Sequence, residues 1–120
     1  MNNYTKKETN KYGNTFYYND KDEYHRTDGP AVEHADGRKA WWVNGKLHRT
    51  DGPAIDWANG GKHWAVNGNL HRLDGPAVEY ADGSKAWYID GKEFAEEEFN
   101  KHPLVIEYNL CQIMSEVLSE

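Results

Sequence analysis

The feature that most constrains this chain is a 23-residue unit that occurs three times without a gap. Residues 25–47 read HRTDGPAVEHADGRKAWWVNGKL, residues 48–70 read HRTDGPAIDWANGGKHWAVNGNL, and residues 71–93 read HRLDGPAVEYADGSKAWYIDGKE. His25, His48 and His71 set the spacing. Residues 13–26 (GNTFYYNDKDEYHR) echo the second half of a unit with one residue inserted, so a degenerate half-unit occupies residues 12–24. The pattern stops at Glu93. So short a unit cannot bury a core by itself, and stability has to come from stacking on its neighbours.

Each unit carries strand and turn chemistry. Residues 30–35 alternate, with Val32 and His34 on one face and Ala31, Glu33 and Ala35 on the other. Asp36-Gly37, Asn59-Gly60 and Asp82-Gly83 supply residues that tolerate positive φ in a tight hairpin turn. The return strand at residues 39–43 puts Trp41 and Val43 on one face and Trp42 on the other. Asn44-Gly45, Asn67-Gly68 and Asp90-Gly91 make the next turn, and a very short third strand fits the Lys-Leu-His step. Stacking such units predicts a ladder of Trp41, Trp64 and Trp87, with Val43, Val66 and Ile89 in a second ladder beside it.

The expected fold is mainly β, an elongated, twisted antiparallel sheet of tandem hairpins over residues 1–93, with C-terminal α-helices. At 120 residues it fits one domain, which typically has about 100–150 residues. A hydrophobic share of 38% and a mean hydropathy of −1.01 leave little material for a thick core. Five Trp, eight Tyr and three Phe compensate, because flat rings cover a thin sheet efficiently.

Residues 94–120 change character and are expected to form an acidic helical cap. Phe94 and Phe99 fall near one face of a first helix, and Pro103 interrupts it. Ile106, Leu110, Ile113, Met114 and Val117 then recur at helical spacing. That stripe either caps the last repeat, shielding its edge strand, or joins two chains as a homodimer, with Tyr108, Cys111 and Leu118 widening it.

Charge narrows the function classes. The net charge of −6 comes almost entirely from residues 94–120, where six Glu face one Lys. The repeats are nearly neutral, so no basic face argues for nucleic acid. A single cysteine, Cys111, excludes an internal disulfide and a Cys-based zinc knuckle, and it suits a reducing compartment. No apolar run is long enough to cross a membrane, and residues 1–11 lack the apolar centre of a secretory signal. A cytoplasmic protein without a cofactor is expected.

On Asn44-Gly45-Lys46, Asp36-Gly37 and their copies, the sequence resembles the MORN repeat family. It is more similar to a MORN-like variant built on His-Arg-x-Asp-Gly-Pro-Ala that recurs in bacteriophage and giant-virus proteins. The resemblance covers about residues 12–93, and the acidic segment at residues 93–101 matches the short helix with which such variants often end. The His-Gly-x-Gly step of ordinary MORN units is replaced here, so their membrane-lipid and scaffolding roles do not carry over. The resemblance implies a repeat fold and a viral source. It suggests a partner protein in the host, including a defence factor to be inhibited.

Two sets of residues compete for function. His25, Arg26 and Asp28, with His48, Arg49 and Asp51 and with His71, Arg72 and Asp74, offer a base, an anion clamp and an orienting carboxylate, as a small enzyme or ligand-binding protein would use. They recur at every unit, whereas a catalytic set is needed once, so together with Trp41, Trp64 and Trp87 they are assigned to the scaffold. A metal shared between units would need ligands within about 2.0–2.2 Å of one ion. Adjacent strands alone lie about 4.8 Å apart. The second set varies between units: His34, Trp57 and Tyr80 in one column, and Trp42 and Tyr88 around Ala65 in another. With Tyr108 these are the candidate partner-binding residues of a non-enzymatic interaction module.

Overall fold

In the computed structural model, which describes residues 3–119, two kinds of turn alternate along the chain. At Asn44-Gly45, both residues have positive φ, 49° and 79°, and Asn67-Gly68 and Asp90-Gly91 repeat this. That two-residue turn matches the twist of paired strands. At Asp36-Gly37 only the glycine is left-handed, at 102°. There the His34 N–H donates to the Arg38 carbonyl and the Gly37 N–H to that of His34, closing a three-residue loop. Asp36 is therefore not the left-handed residue its sequence allows. Its carboxylate accepts the Arg38 N–H at 2.9 Å and braces the loop from outside.

These turns arrange each unit in two short hairpins. The first unit contains β3 (Val32–Glu33), β4 (Lys39–Ala40), β5 (Trp42–Val43) and β6 (Lys46–Leu47). The second repeats them as β7 (Ile55–Asp56), β8 (Lys62–His63), β9 (Ala65–Val66) and β10 (Asn69–Leu70). In the third, β11 (Val78–Glu79) is followed by an unbroken β12 (Lys85–Ile89) and by β13 (Lys92–Phe94). Upstream lie β1 (Lys6–Thr9) and β2 (Thr15–Tyr18). The nine-stranded antiparallel sheet runs β1-β2-β3-β4-β7-β8-β11-β12-β13, and the pairs β5-β6 and β9-β10 form two small sheets beside it. The short strand expected at the Lys-Leu-His step is thus present as β6 and β10.

The return strand breaks at Trp41 and Trp64, and the break links the units. The Trp41 N–H donates to the Ala54 carbonyl of the next unit at 2.7 Å, and its carbonyl accepts from the His48 N–H at 3.0 Å. Trp64 does the same with Ala77 and His71. The small hairpins are joined too, since the Gly68 N–H donates to the Leu47 carbonyl and that of Gly91 to Leu70. Every unit boundary is therefore hydrogen-bonded in both rows.

The array also begins earlier than its sequence pattern. β1 pairs with β2 through a loop closed, like the one at residues 34–38, by Asn10 and Asn14. The half-unit at residues 12–24 thus has a first strand after all. All four residues of β1 are exposed, so no alternation marks it.

At the other end, α1 (Glu96–Asn100) and α2 (Pro103–Leu118) follow β13. Phe94 belongs to the strand rather than to the first helix. His102 caps α2, its Nδ1 accepting the Leu104 N–H, and Pro103 stands in the first turn, where a missing N–H costs nothing. Phe99 and Val105 pack with Ile89 against Leu73, Trp87 and Phe94. The stripe beyond does not pack on the repeats. Leu110, Ile113, Met114, Val117 and Leu118 are all exposed.

Candidate functional site

The repeated heptad resolves into one contact set per boundary. The Arg49 guanidinium lies 3.8 Å from the centre of the Trp41 ring, and Arg72 lies equally close over Trp64. In the degenerate unit Arg26 covers Tyr17 at 4.1 Å. Each Arg also donates through Nε to the Asp two residues on, at 2.8–3.0 Å for Asp28, Asp51 and Asp74. Each donates through Nη1 to the proline carbonyl of Pro30, Pro53 or Pro76. Arg26 and Arg72 gain a second carboxylate, Glu33 and Glu79. In the middle unit Asp56 is shorter and pairs with Lys62 instead.

The rest of the motif serves that arginine. A Cβ on Gly52 would stand 2.8 Å from Arg49 Cζ, and one on Gly29 2.9 Å from Arg26 Cζ, so a side chain at either place would displace the guanidinium. Ala31, Ala54 and Ala77 are fully buried. The histidine Nδ1 accepts the N–H of the next turn, from Asn44 to His25, Asn67 to His48 and Asp90 to His71. Of the expected tryptophan ladder, Trp41 and Trp64 are arginine–indole stacks, and Trp87 packs on an apolar cluster instead. Among the described residues none of Trp41, Trp64 and Trp87 stacks on another indole. No group of three or more His, Cys, Asp or Glu among them is placed to hold a metal.

The helices sit on this tryptophan–arginine face. Tyr108 of α2 is half-buried there and lines a cleft with Trp64, His71 and Arg72. The opposite face is open. On it the first two units and β2 enclose a groove of about 330 Å³, lined by Phe16, Tyr24, Val32, His34, Arg38, Ala40, Trp42, Ile55 and Trp57. Tyr24 stacks on Phe16, with centroids 5.9 Å apart, and meets Trp42 edge-on at 5.5 Å. On the other wall Arg38 lies 5.0 Å from the centre of the Trp57 ring, with a guanidinium nitrogen against His34 Nε2.

Three of the six candidate partner-binding residues, His34, Trp42 and Trp57, thus meet in one place. Tyr80 lies further along, half exposed and edge-on to His63 at 6.4 Å. Burial pushes the His63 ring below its ordinary pKa. Tyr88 is outside the groove, its phenol raised above the usual range by burial first and then by Glu93. Phe16, Tyr24 and Arg38 are groove residues that the sequence reading does not single out. Unit-to-unit variation marks them: Arg38 aligns with Gly61 and Ser84, and Tyr24 with Leu47 and Leu70.

In comparisons with family models, curated proteins and solved structures, nothing matches this chain. Among the described residues no helix is long and apolar enough to cross a membrane.

Proposed function

We propose that this chain is a non-enzymatic protein-interaction module of the MORN-like viral type, holding a host protein on its open sheet face. One observation carries the reading: three of the residues that vary between units, His34, Trp42 and Trp57, meet in the groove, whereas the invariant ones are consumed at the boundaries. His34, Trp42 and Trp57 line a single open cleft. The His, Arg and Asp of each heptad already have partners within the scaffold. Aromatic side chains and arginine are the residue types enriched where proteins bind one another. The exposed apolar end of α2 adds a second surface of the same kind, since large contiguous apolar patches mark interaction sites.

The viral resemblance puts the partner in the host cytoplasm, with a defence factor among the candidates. Tagged protein recovered from host or infected-host lysate should bring down a discrete partner, read by mass spectrometry. A double variant, Trp42→Ala with Trp57→Ala, should lose that partner while keeping its fold. Equal recovery by both proteins, or none by either, would overturn the reading.

A further inference from the structure

We infer that the groove between the first two units selects a bulky apolar or aromatic side chain with a carboxylate beside it on the partner protein. The inference rests on the protein-binding reading above and specifies its chemistry.

Size sets the first limit. At about 330 Å³ the groove lies at the lower end of small-ligand sites, roughly 300–1,000 Å³, so it admits one large side chain rather than a folded surface. Its walls set the second. Phe16, Tyr24, Trp42 and Trp57 present ring faces and edges, and Val32 and Ile55 add aliphatic surface, all suited to an apolar or aromatic guest.

Charge sets the third. Arg38 is the one Lys or Arg in the lining, and no Asp or Glu shares it. Among the described residues Arg38 makes no salt bridge, in contrast to Arg26, Arg49 and Arg72. The carboxylates of the flanking strands β3 and β7 are engaged elsewhere, Glu33 by Arg26 and Asp56 by Lys62. Asp36 is held by a backbone N–H. Of the five N–H donors a guanidinium carries, one nitrogen faces His34, and the others are without an acceptor among the described residues. Arg38 thus leaves this wall with free N–H donors and no acidic acceptor among the described residues, and a carboxylate supplies one. Desolvation against the rings strengthens such a pair relative to one in water.

The site is built once. At the corresponding place in the following unit pair, Gly61 replaces Arg38, Ala65 replaces Trp42 and Leu47 replaces Tyr24. Neither the cation nor the aromatic wall is therefore a requirement of the repeat. Nucleic acid, which also stacks on aromatics beside arginine, is disfavoured by a single cation and a net charge of −6.

A displayed library of random peptides, selected on the whole chain, tests this. The selected sequences should pair an aromatic or large aliphatic residue with Asp or Glu. The best of them, made synthetically, should shift the indole N–H signals of Trp42 and Trp57 in a nitrogen–proton correlation spectrum and leave those of Trp41 and Trp64 in place. Changing its acid to the amide should weaken binding at least tenfold, and Arg38→Gln should abolish that difference without moving the Trp41 and Trp64 signals. Peptides selected without an acid, equal binding of acid and amide, or shifts at other indoles would overturn the inference. So would tighter binding of oligothymidylate at the same two indoles. If the chemistry fails here while the Trp42/Trp57 double variant still loses its lysate partner, the module reading stands and only the inference falls. Failure of both removes both.

Discussion

Trp64 and Trp87 hold the same position in successive units, yet they are covered by opposite chemistry. Over Trp64 lies the guanidinium of Arg72, itself tied to Asp74, Glu79 and the Pro76 carbonyl. Over Trp87 lies an apolar cluster built from Ile89, Phe99 and Val105. The residue that would provide the arginine for Trp87, eight positions on, is Ala95. An internal boundary can use a charged cover because the following unit supplies the carboxylate and carbonyl that satisfy it. The last boundary has no following unit, and a guanidinium there would lack those acceptors. An apolar lid removes the ring from water without asking for partners.

The apolar end should give the largest effect. Phe99→Ala should cost about 3–5 kcal/mol, the usual range for emptying a buried phenylalanine site. Hydrogen exchange should show β13, α1 and the start of α2 opening while β3, β4 and β7 remain protected. Uniform loss of protection would mean that the cap and the array are one cooperative unit. The charged cover is the next test. Arg72→Ala should destabilise by roughly 1–3 kcal/mol in denaturant unfolding, since it removes a stacked cation together with its bonds to Asp74, Glu79 and the Pro76 carbonyl. Arg72→Lys should restore less than half of that, because an ammonium cannot stack flat and fork at once. Full rescue by lysine would reduce the contact to simple charge.

A smaller change sharpens the role of the glycine. Gly52→Ala places a methyl 2.8 Å from Arg49 Cζ and should cost about 1–3 kcal/mol by pushing the guanidinium off Trp41. The matching position beyond the last unit is Glu98, where no arginine needs room. The smallest effect separates the middle unit from its neighbours. His63 stands where Ala40 and Ala86 stand, and burial lowers its pKa below 6.5. The unfolded chain therefore takes up this proton first as pH falls. The stability is complete above about pH 6.5 and is lost as pH drops through the lower folded value. Thermal unfolding should be more acid-sensitive in the wild type than in His63→Ala, and identical pH profiles would remove the assignment.

Much of this was legible in the sequence, and the exceptions share a cause. The unit length, the Asn-Gly turns, the hairpins and the division into repeats and helices follow from local patterns. The arginine–indole stack did not, because it joins the residue at the strand break to a loop residue eight positions on, which matches neither the strand period nor the helix period. β1 was hidden because KKET is exposed on both faces and offers no alternation. The stripe on α2 was legible as a pattern, but periodicity alone does not say whether an apolar face has something to cover. The groove was half legible. Its variable columns pointed to His34, Trp42 and Trp57, while Phe16 enters it through the pairing of β2 with β3 and Tyr24 through a bridge to Tyr18, which only the assembled sheet makes visible.

The boundary contacts reach only from one unit to the next, and this gives the molecule a length setting. A whole additional copy of residues 48–70 would find every acceptor, stack and cap it needs, while a partial copy would find none in register. Each inserted copy adds two strands to the main sheet, or roughly 10 Å at the usual strand spacing. Strand twist would turn the two ends relative to one another by a further fixed step. The groove belongs to the first unit pair and the exposed end of α2 follows the last. The number of copies is thus a ruler, setting how far apart, and at what angle, the groove and the exposed end of α2 stand.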